Sequence, residues 1–274
     1  MSRRISSLGR AASGRVRRQA PGQAGRMTFC FPFNRATTGV VLDSHPARRY
    51  DSEAIGSGIS FGPGPFGLVA ARGDGSTSAY IRLRSLSDTD PPSIFSSTAL
   101  FTFSCWAKFD SFAATRAIYG ESVSTASWTA GSTLYISTAG KLNLEFFDGA
   151  YKTLTGAVVL TAGLWYHLAF TRGLSGRAVY VNGVLDTSNS DTGNVNTMGG
   201  SQLMCNPATN DSTAGNPMLG DVCGVVAYDQ DMGAGFIKRL FQEPLSFLAQ
   251  PRQFPQFYDP GQQGFPHSVA PAVG

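Results

Sequence analysis

Along most of the chain apolar residues recur at every second position, the period of a half-buried strand, while helical spacing is confined to short stretches near the two ends. Leu100 to Asp110, LFTFSCWAKFD, sets Phe101, Phe103, Cys105, Ala107 and Phe109 on one face. Thr102, Ser104, Trp106 and Lys108 fall on the other, which predicts a sandwich strand with one face in a core. Ser132 to Ser137, Leu142 to Phe147 and Tyr151 to Leu154 read as a meander turned at Ala139-Gly140 and Asp148-Gly149, and a short apolar run, Ala157 to Leu160, follows. Leu164 to Leu185 holds two runs rich in aromatic and β-branched residues, Trp165 to Phe170 and Ala178 to Val181, parted by the turn signal Ser175-Gly176. Asn182-Gly183 supplies the two positive φ values of a type I′ turn, so three consecutive strands meander through this region. Gly220 to Tyr228 is a further strand. Asp231 can cap a short helix with the apolar stripe Phe236, Ile237, Leu240 and Phe241, stopped by Pro244.

The polar stretches divide the rest. Ala36 to Pro63 is Gly- and Ser-rich, carries Arg48-Arg49, and reads as loop. Asp186 to Pro217 is the longest irregular segment inside the domain and is dense in Asp and Asn. Loops of that length in a compact sandwich are usually functional, so Asp186, Asn189, Asp191 and Asn194 are the candidate ligand-binding residues. Residues 1–26 hold too little apolar content for a core. There Ile5, Leu8, Ala12 and Val16 fall at helical spacing, as a helix forming on a partner surface would require. Residues 247–274 are Pro-rich with spaced rings, Phe247, Phe254, Phe257 and Tyr258, suited to lying along another surface as a strap. The expected organisation is therefore a basic arm, 1–26, a β-sandwich, 27–246, and the strap.

Length and composition agree. A chain of 274 residues with 32 Gly and 15 Pro fits one large all-β sandwich of many short strands. Charge changes the picture more. Residues 1–26 carry seven arginines (Arg3, Arg4, Arg10, Arg15, Arg17, Arg18 and Arg26) and no acid, +7, while the remainder has 15 basic and 18 acidic side chains, −3, giving the net +4. A nearly neutral domain thus bears an arm suited to an acidic partner, with a presequence or a solubilising tail as the other readings. No apolar run reaches the roughly 18 residues that span a bilayer, and the N-terminus lacks the apolar core of a secretory signal. Cys30, Cys105, Cys205 and Cys223 form no metal-type spacing and are expected as free thiols, a Cys205–Cys223 bridge being the exception to watch.

The Leu164 to Leu185 stretch also resembles a known family. Trp165-Tyr166-His167-Leu168-Ala169-Phe170-Thr171-Arg172, Ser175-Gly176 and Tyr180-Val181-Asn182-Gly183 look like the central signature of laminin-G-like, concanavalin-A-like lectin/glucanase domains. Phe31-Pro32-Phe33-Asn34, Gly64-Pro65-Phe66-Gly67-Leu68, Ala79-Tyr80-Ile81-Arg82-Leu83, the F-T-F-S-x-W of residues 101–106, and the strand, Tyr228-Asp229, helix ending extend the likeness over most of residues 27–243. The resemblance implies an antiparallel two-sheet jelly-roll sandwich. It also implies, as in many such domains, calcium at the sandwich rim, for which Asp186, Asp191, Asn194 and Asp221 are the oxygen ligands at hand. The competing reading makes them turn residues. Arg72-Gly73-Asp74 falls inside the matching block and reads as coincidence rather than a recognition tripeptide.

Glucanases of this fold place paired carboxylates on one strand in an E-x-D-x-x-E pattern, which this sequence lacks. Glu145 and Asp148 come nearest, but a separation of three puts them on opposite strand faces. His45, His167 and His267 are far apart; His167 sits mid-strand without a nucleophile elbow and reads as a packed or hydrogen-bonded strand residue. No phosphate-binding loop or dinucleotide fingerprint occurs. The expected function is accordingly non-enzymatic. First comes a bacteriophage virion component, a capsid decoration or head or tail appendage made in the host cytoplasm, because a helix followed by a Pro and aromatic strap loosely resembles such proteins. Arm and strap would then bind acidic virion proteins in a larger assembly. The alternative is an adhesin module for cell-surface glycans, and a glycosidase is the remote third.

Overall fold

The computed structural model describes residues 27–33, 36–37, 40–44, 51–84, 100–122, 131–147, 150–193, 200–207 and 214–248. The arm arginines Arg3 to Arg26, Asn194, the Asp148-Gly149 turn, His45, His267 and the strap rings Phe254, Phe257 and Tyr258 lie outside the described residues.

In chain order the strands are β1 Met27–Phe31, β2 Ala36–Thr37, β3 Val40–Val41, β4 Ala54–Ile55, β5 Ile59–Pro63, β6 Val69–Asp74, β7 Ile81–Arg84, β8 Phe101–Phe109, β9 Arg116–Ser122 and β10 Gly131–Ile136. They continue as β11 Lys141–Phe147, β12 Tyr151–Val159, β13 Trp165–Gly173, β14 Gly176–Val181, β15 Val184–Asn189, β16 Gly200–Leu203, β17 Asn206–Pro207, β18 Ala214–Gly215 and β19 Leu219–Tyr228, before helix α1, Gly233–Gln242. Among the described residues they build two two-stranded ribbons, β2-β3 and β17-β18, and two large antiparallel sheets. One runs β15-β14-β13-β8-β19-β6-β5 with β1 also on β19, the other β12-β11-β10-β9-β16-β7-β4. This is the expected all-β sandwich, and its core is aromatic: Phe103 stacks on Phe170 at 5.2 Å and meets Tyr119 of the opposite sheet at 5.4 Å. Burying each such ring contributes about 2–3 kcal/mol. The four cysteines are free and buried.

Several local expectations need correction. Ala36 to Pro63 is not loop throughout: it supplies β2 to β5, too short or too Gly- and Pro-rich to show a period. Asp186 to Pro217 likewise holds the end of β15 and β16 to β18. Ala157 to Val159 continues β12 across a bulge. The β13–β14 turn centres on Leu174-Ser175, since Gly173 pairs with Gly176. Gly176 is required there because an added Cβ would stand 1.8 Å from the Asn189 carbonyl oxygen. At the next turn Asn182 and Gly183 adopt φ of 51° and 76°, as a type I′ turn requires.

Strand β8 is buried on both faces rather than one, Lys108 excepted. Its second face lies under α1, where Trp106 stacks on Phe241 at 5.7 Å. The Thr102 hydroxyl donates to the Gln230 carbonyl at 2.8 Å and accepts the Met232 N–H at 2.9 Å. The N-cap of α1 is Met232, with Asp231 one residue earlier accepting the Gly233 N–H at 2.9 Å. Phe247, assigned from sequence to the strap, packs against the sandwich: an added Cβ at Gly224 would meet its ring at 3.4 Å.

Candidate functional site

Among the described residues the polar side chains after β14 bond to the protein itself. Asp186 lies in β15, the terminal strand of one sheet, and its Oδ1 accepts the N–H groups of Ala157 and Val158 at 3.0 and 2.9 Å. Those two belong to the bulge of β12, the terminal strand of the other sheet, so one carboxylate clamps the two free edges together. Asn189 makes a local turn, its Oδ1 accepting the Asp191 N–H at 3.2 Å. Asp191 accepts the Gly193 N–H at 2.7 Å and bridges Lys152 at 3.1 Å and Arg177 at 3.0 Å. Burial opposes its charge, but that N–H and those cations hold its carboxyl below the usual carboxylate range. Arg177, only 1% exposed, lies 3.3 Å from the centroid of Phe146, and Arg172 donates to the Thr192 carbonyl at 2.7 Å. Residues 191–193 thus form a clasp over two buried guanidinium groups.

The three described candidates for calcium, Asp186, Asp191 and Asp221, stand apart in this geometry. Asp221 accepts from Lys108 at 2.7 Å and Arg72 at 3.1 Å, so Asp186, Asp191 and Asp221 are each taken up by backbone N–H groups or protein cations and do not converge. Among the described residues no three His, Cys, Asp or Glu side chains are placed to hold a metal ion. Arg72 also pairs with Asp110, which ties the Arg72-Gly73-Asp74 tripeptide along β6.

His167 and Ser104 form a pair that sequence reasoning missed, with His167 Nε2 and Ser104 Oγ 2.7 Å apart. It is not a catalytic dyad. His167 is 1% exposed beneath α1, its Nδ1 has no partner, and Trp106, Leu240, Pro244 and Phe247 close around it. Burial pushes its pKa down to about 4, so the imidazole is neutral.

An accessible polar surface lies on β11 and β12, with Tyr135 of β10 beside it. Leu134, Ile136, Leu142, Leu144 and Leu154 point into the core, which turns Thr133, Tyr135, Asn143, Glu145, Phe147, Tyr151, Thr153 and Thr155 to the other face; there Thr133 and Asn143 are buried, Tyr135, Glu145 and Phe147 half-buried, and Tyr151, Thr153 and Thr155 exposed. Cross-strand register sets them in rows: Tyr135, Asn143, Thr155; then Thr133, Glu145, Thr153; then Phe147 and Tyr151. Thr155 donates to Asn143 Oδ1 at 2.8 Å, and the Tyr135 and Thr153 hydroxyls each stand 3.4 Å from Glu145 Oε2. Burial first, then the Glu145 charge, push the Tyr135 phenol up to about 12, so it remains a neutral donor. Phe147 meets Tyr151 edge-on at 5.1 Å, and Tyr151 is 56% exposed. On this same face Asn206 of β17 accepts the Thr133 hydroxyl at 3.0 Å, so β17, packed against β9, closes the face beyond Thr133. Aromatic rings next to hydroxyl and carboxylate groups suit a flat, hydroxyl-rich ligand with apolar faces. Among the described residues Glu145 has only hydroxyl partners, not the second carboxyl that glycoside hydrolysis uses. The signal for this face was present in the alternation of LNLEFF and YKTLT, whose non-core positions are Asn, Glu, Phe, Tyr and Thr.

Comparison with known proteins agrees with the architecture. A family model described as the concanavalin A-like lectin/glucanases superfamily matches residues 69–237. Domain 4 of AbnA, an extracellular arabinanase from Geobacillus stearothermophilus solved with arabinotriose, superposes with TM-score 0.61 over 80% of this chain and 100% of that domain, at 18% identity. The binding domains of Paraclostridial Mosquitocidal Protein 1 and of botulinum neurotoxin serotype G follow with TM-scores of 0.59 and 0.60 over 78% and 81% of this chain, at 14% and 12% identity. The chain spans about half of each of those two, 51% and 52%. No curated sequence matches the chain significantly. At these identities the solved structures speak for the fold, and the family model covers more than half the chain: it belongs to the laminin-G-like group of the concanavalin A-like lectin/glucanases superfamily.

Proposed function

We propose that the chain is a non-enzymatic carbohydrate-binding protein that holds glycans on the outward face of β10 to β12. The observation that carries this reading is the exposed Tyr151 ring beside Phe147, next to the exposed Thr153 and Thr155 and the half-buried Tyr135 and Glu145. A sugar offers an apolar C–H face for the ring and hydroxyls for the polar rows. The AbnA domain was solved with arabinotriose, which supports asking the question of saccharides first. Probing the full chain against immobilised glycans is expected to give discrete saccharide hits, and silence across all of them would oppose the reading.

The arginines of residues 1–26 favour a narrower version in which the module is displayed on a bacteriophage particle. There the seven arginines engage an acidic particle surface, and the sandwich faces outward to host glycans. Removing residues 1–26 should then abolish incorporation into particles while leaving the melting temperature of the sandwich unchanged. Normal occupancy after that deletion would contradict the particle reading.

A further inference from the structure

We infer that Glu145 makes this face selective for neutral, hydroxyl-rich glycans and against those bearing uronate or sialate carboxylates; the inference rests on the face being the glycan site. Glu145 occupies the middle row of the middle strand, with Thr133 and Thr153 directly across from it and the Phe147–Tyr151 rings in the adjoining row. Any ligand spanning the face passes over it. Its carboxylate is only partly exposed, and its hydrogen-bond partners among the described residues are two hydroxyls at 3.4 Å. No cation among the described residues neutralises it. Lys152, next to Tyr151 in sequence, projects from the opposite side of β12 and is bound to Asp191. Lys141 is on the same face of β11 but four residues along the strand from Glu145. The connections 137–140 and 148–150, which join the three strands, contain no Lys or Arg and one acid, Asp148.

The consequence follows from charge and solvation. An ionised carboxylate accepts hydrogen bonds and cannot donate, so it suits sugar hydroxyls, which donate readily. A ligand carboxylate brought within about 5–6 Å in a partly desolvated site meets repulsion worth roughly tenfold in affinity at an effective dielectric near 40. Because the pair is partly exposed, that penalty shrinks as salt is raised. Glu145 is thus a specificity residue rather than a source of affinity.

The test uses the full chain and matched oligosaccharides, one neutral and one carrying a terminal sialate or internal uronate, titrated at low and at high salt. The wild-type chain is expected to bind the neutral member at least tenfold more tightly at low salt. Glu145→Gln keeps the shape and hydrogen-bonding reach, and should cut the discrimination to about twofold while its melting temperature stays within a degree or two. Equal or tighter binding of the acidic member by the wild type would overturn the inference alone, as would discrimination unchanged in Glu145→Gln. Absence of binding to either member of every pair would overturn the glycan reading and the inference together.

Discussion

Asp186 shows how a residue can look like a ligand and be a fastener. In sequence it opens an Asp- and Asn-rich stretch, and oxygen-rich stretches read as ligand loops. The partners that fix its role, the N–H groups of Ala157 and Val158, lie 29 and 28 residues away, and no local pattern points to them. Gly156 belongs to the same device, because a Cβ there would come 2.2 Å from Asp186 Oδ2. Replacing Asp186 by Asn keeps the one oxygen that accepts both N–H groups but removes the charge that strengthens the two bonds. The expected cost is about 1–2 kcal/mol, discounted for partial exposure. Asp191→Ala should cost more, about 3 kcal/mol, since it takes a counter-ion from the buried Arg177. Thermal melts check both, and on this account adding millimolar calcium shifts neither the wild type nor the variants. A calcium-dependent rise of several degrees in the wild type, lost in Asp186→Asn, would restore these carboxylates to a metal site.

At the scale of elements, the long strands were legible because each has one face in the core: the alternation of β8, the β13–β14–β15 meander and the Asn182-Gly183 turn all follow from period and turn chemistry. What the pattern could not show is what covers the second face of β8. Ser104 and Trp106 read as solvent-facing, yet α1 lies over them and encloses His167. That contact has a pH signature. The folded protein holds His167 neutral, with a pKa of about 4 against 6.5 for a free histidine. Stability from this residue is therefore complete above pH 6.5, declines as pH falls from 6.5 to about 4, and is lost by up to about 3 kcal/mol below that. Nothing on β8, β13 or β19 or in α1 among the residues enclosing His167 offers a compensating carboxylate. The wild type should lose melting temperature steeply across that window, and His167→Gln should not. Parallel curves for the two would show that protonation of His167 does not load the interface between α1 and the sheet.

On the scale of the whole molecule, the candidate site emerged from three strands that contribute alternate residues, no one of which stands out alone. Glu145 read as half of a failed carboxylate pair when judged by its neighbours in sequence; its true neighbours are Thr133 and Thr153 across the sheet. Fold membership was readable because turn and strand signals are local, whereas a binding face depends on register, which one strand cannot reveal. The same separation divides the chain into a nearly neutral sandwich that presents the face and a basic arm suited to an acidic partner. The most direct test of the account is equilibrium titration of the best-bound neutral oligosaccharide with the full chain and with Tyr151→Ala, whose side chain is half exposed and outside the core. The account predicts at least a tenfold loss of affinity with an unchanged melting temperature. Affinity unaltered by Tyr151→Ala but abolished by substitutions at Asp186 or Asp191 that leave the fold intact would place the ligand elsewhere and contradict it.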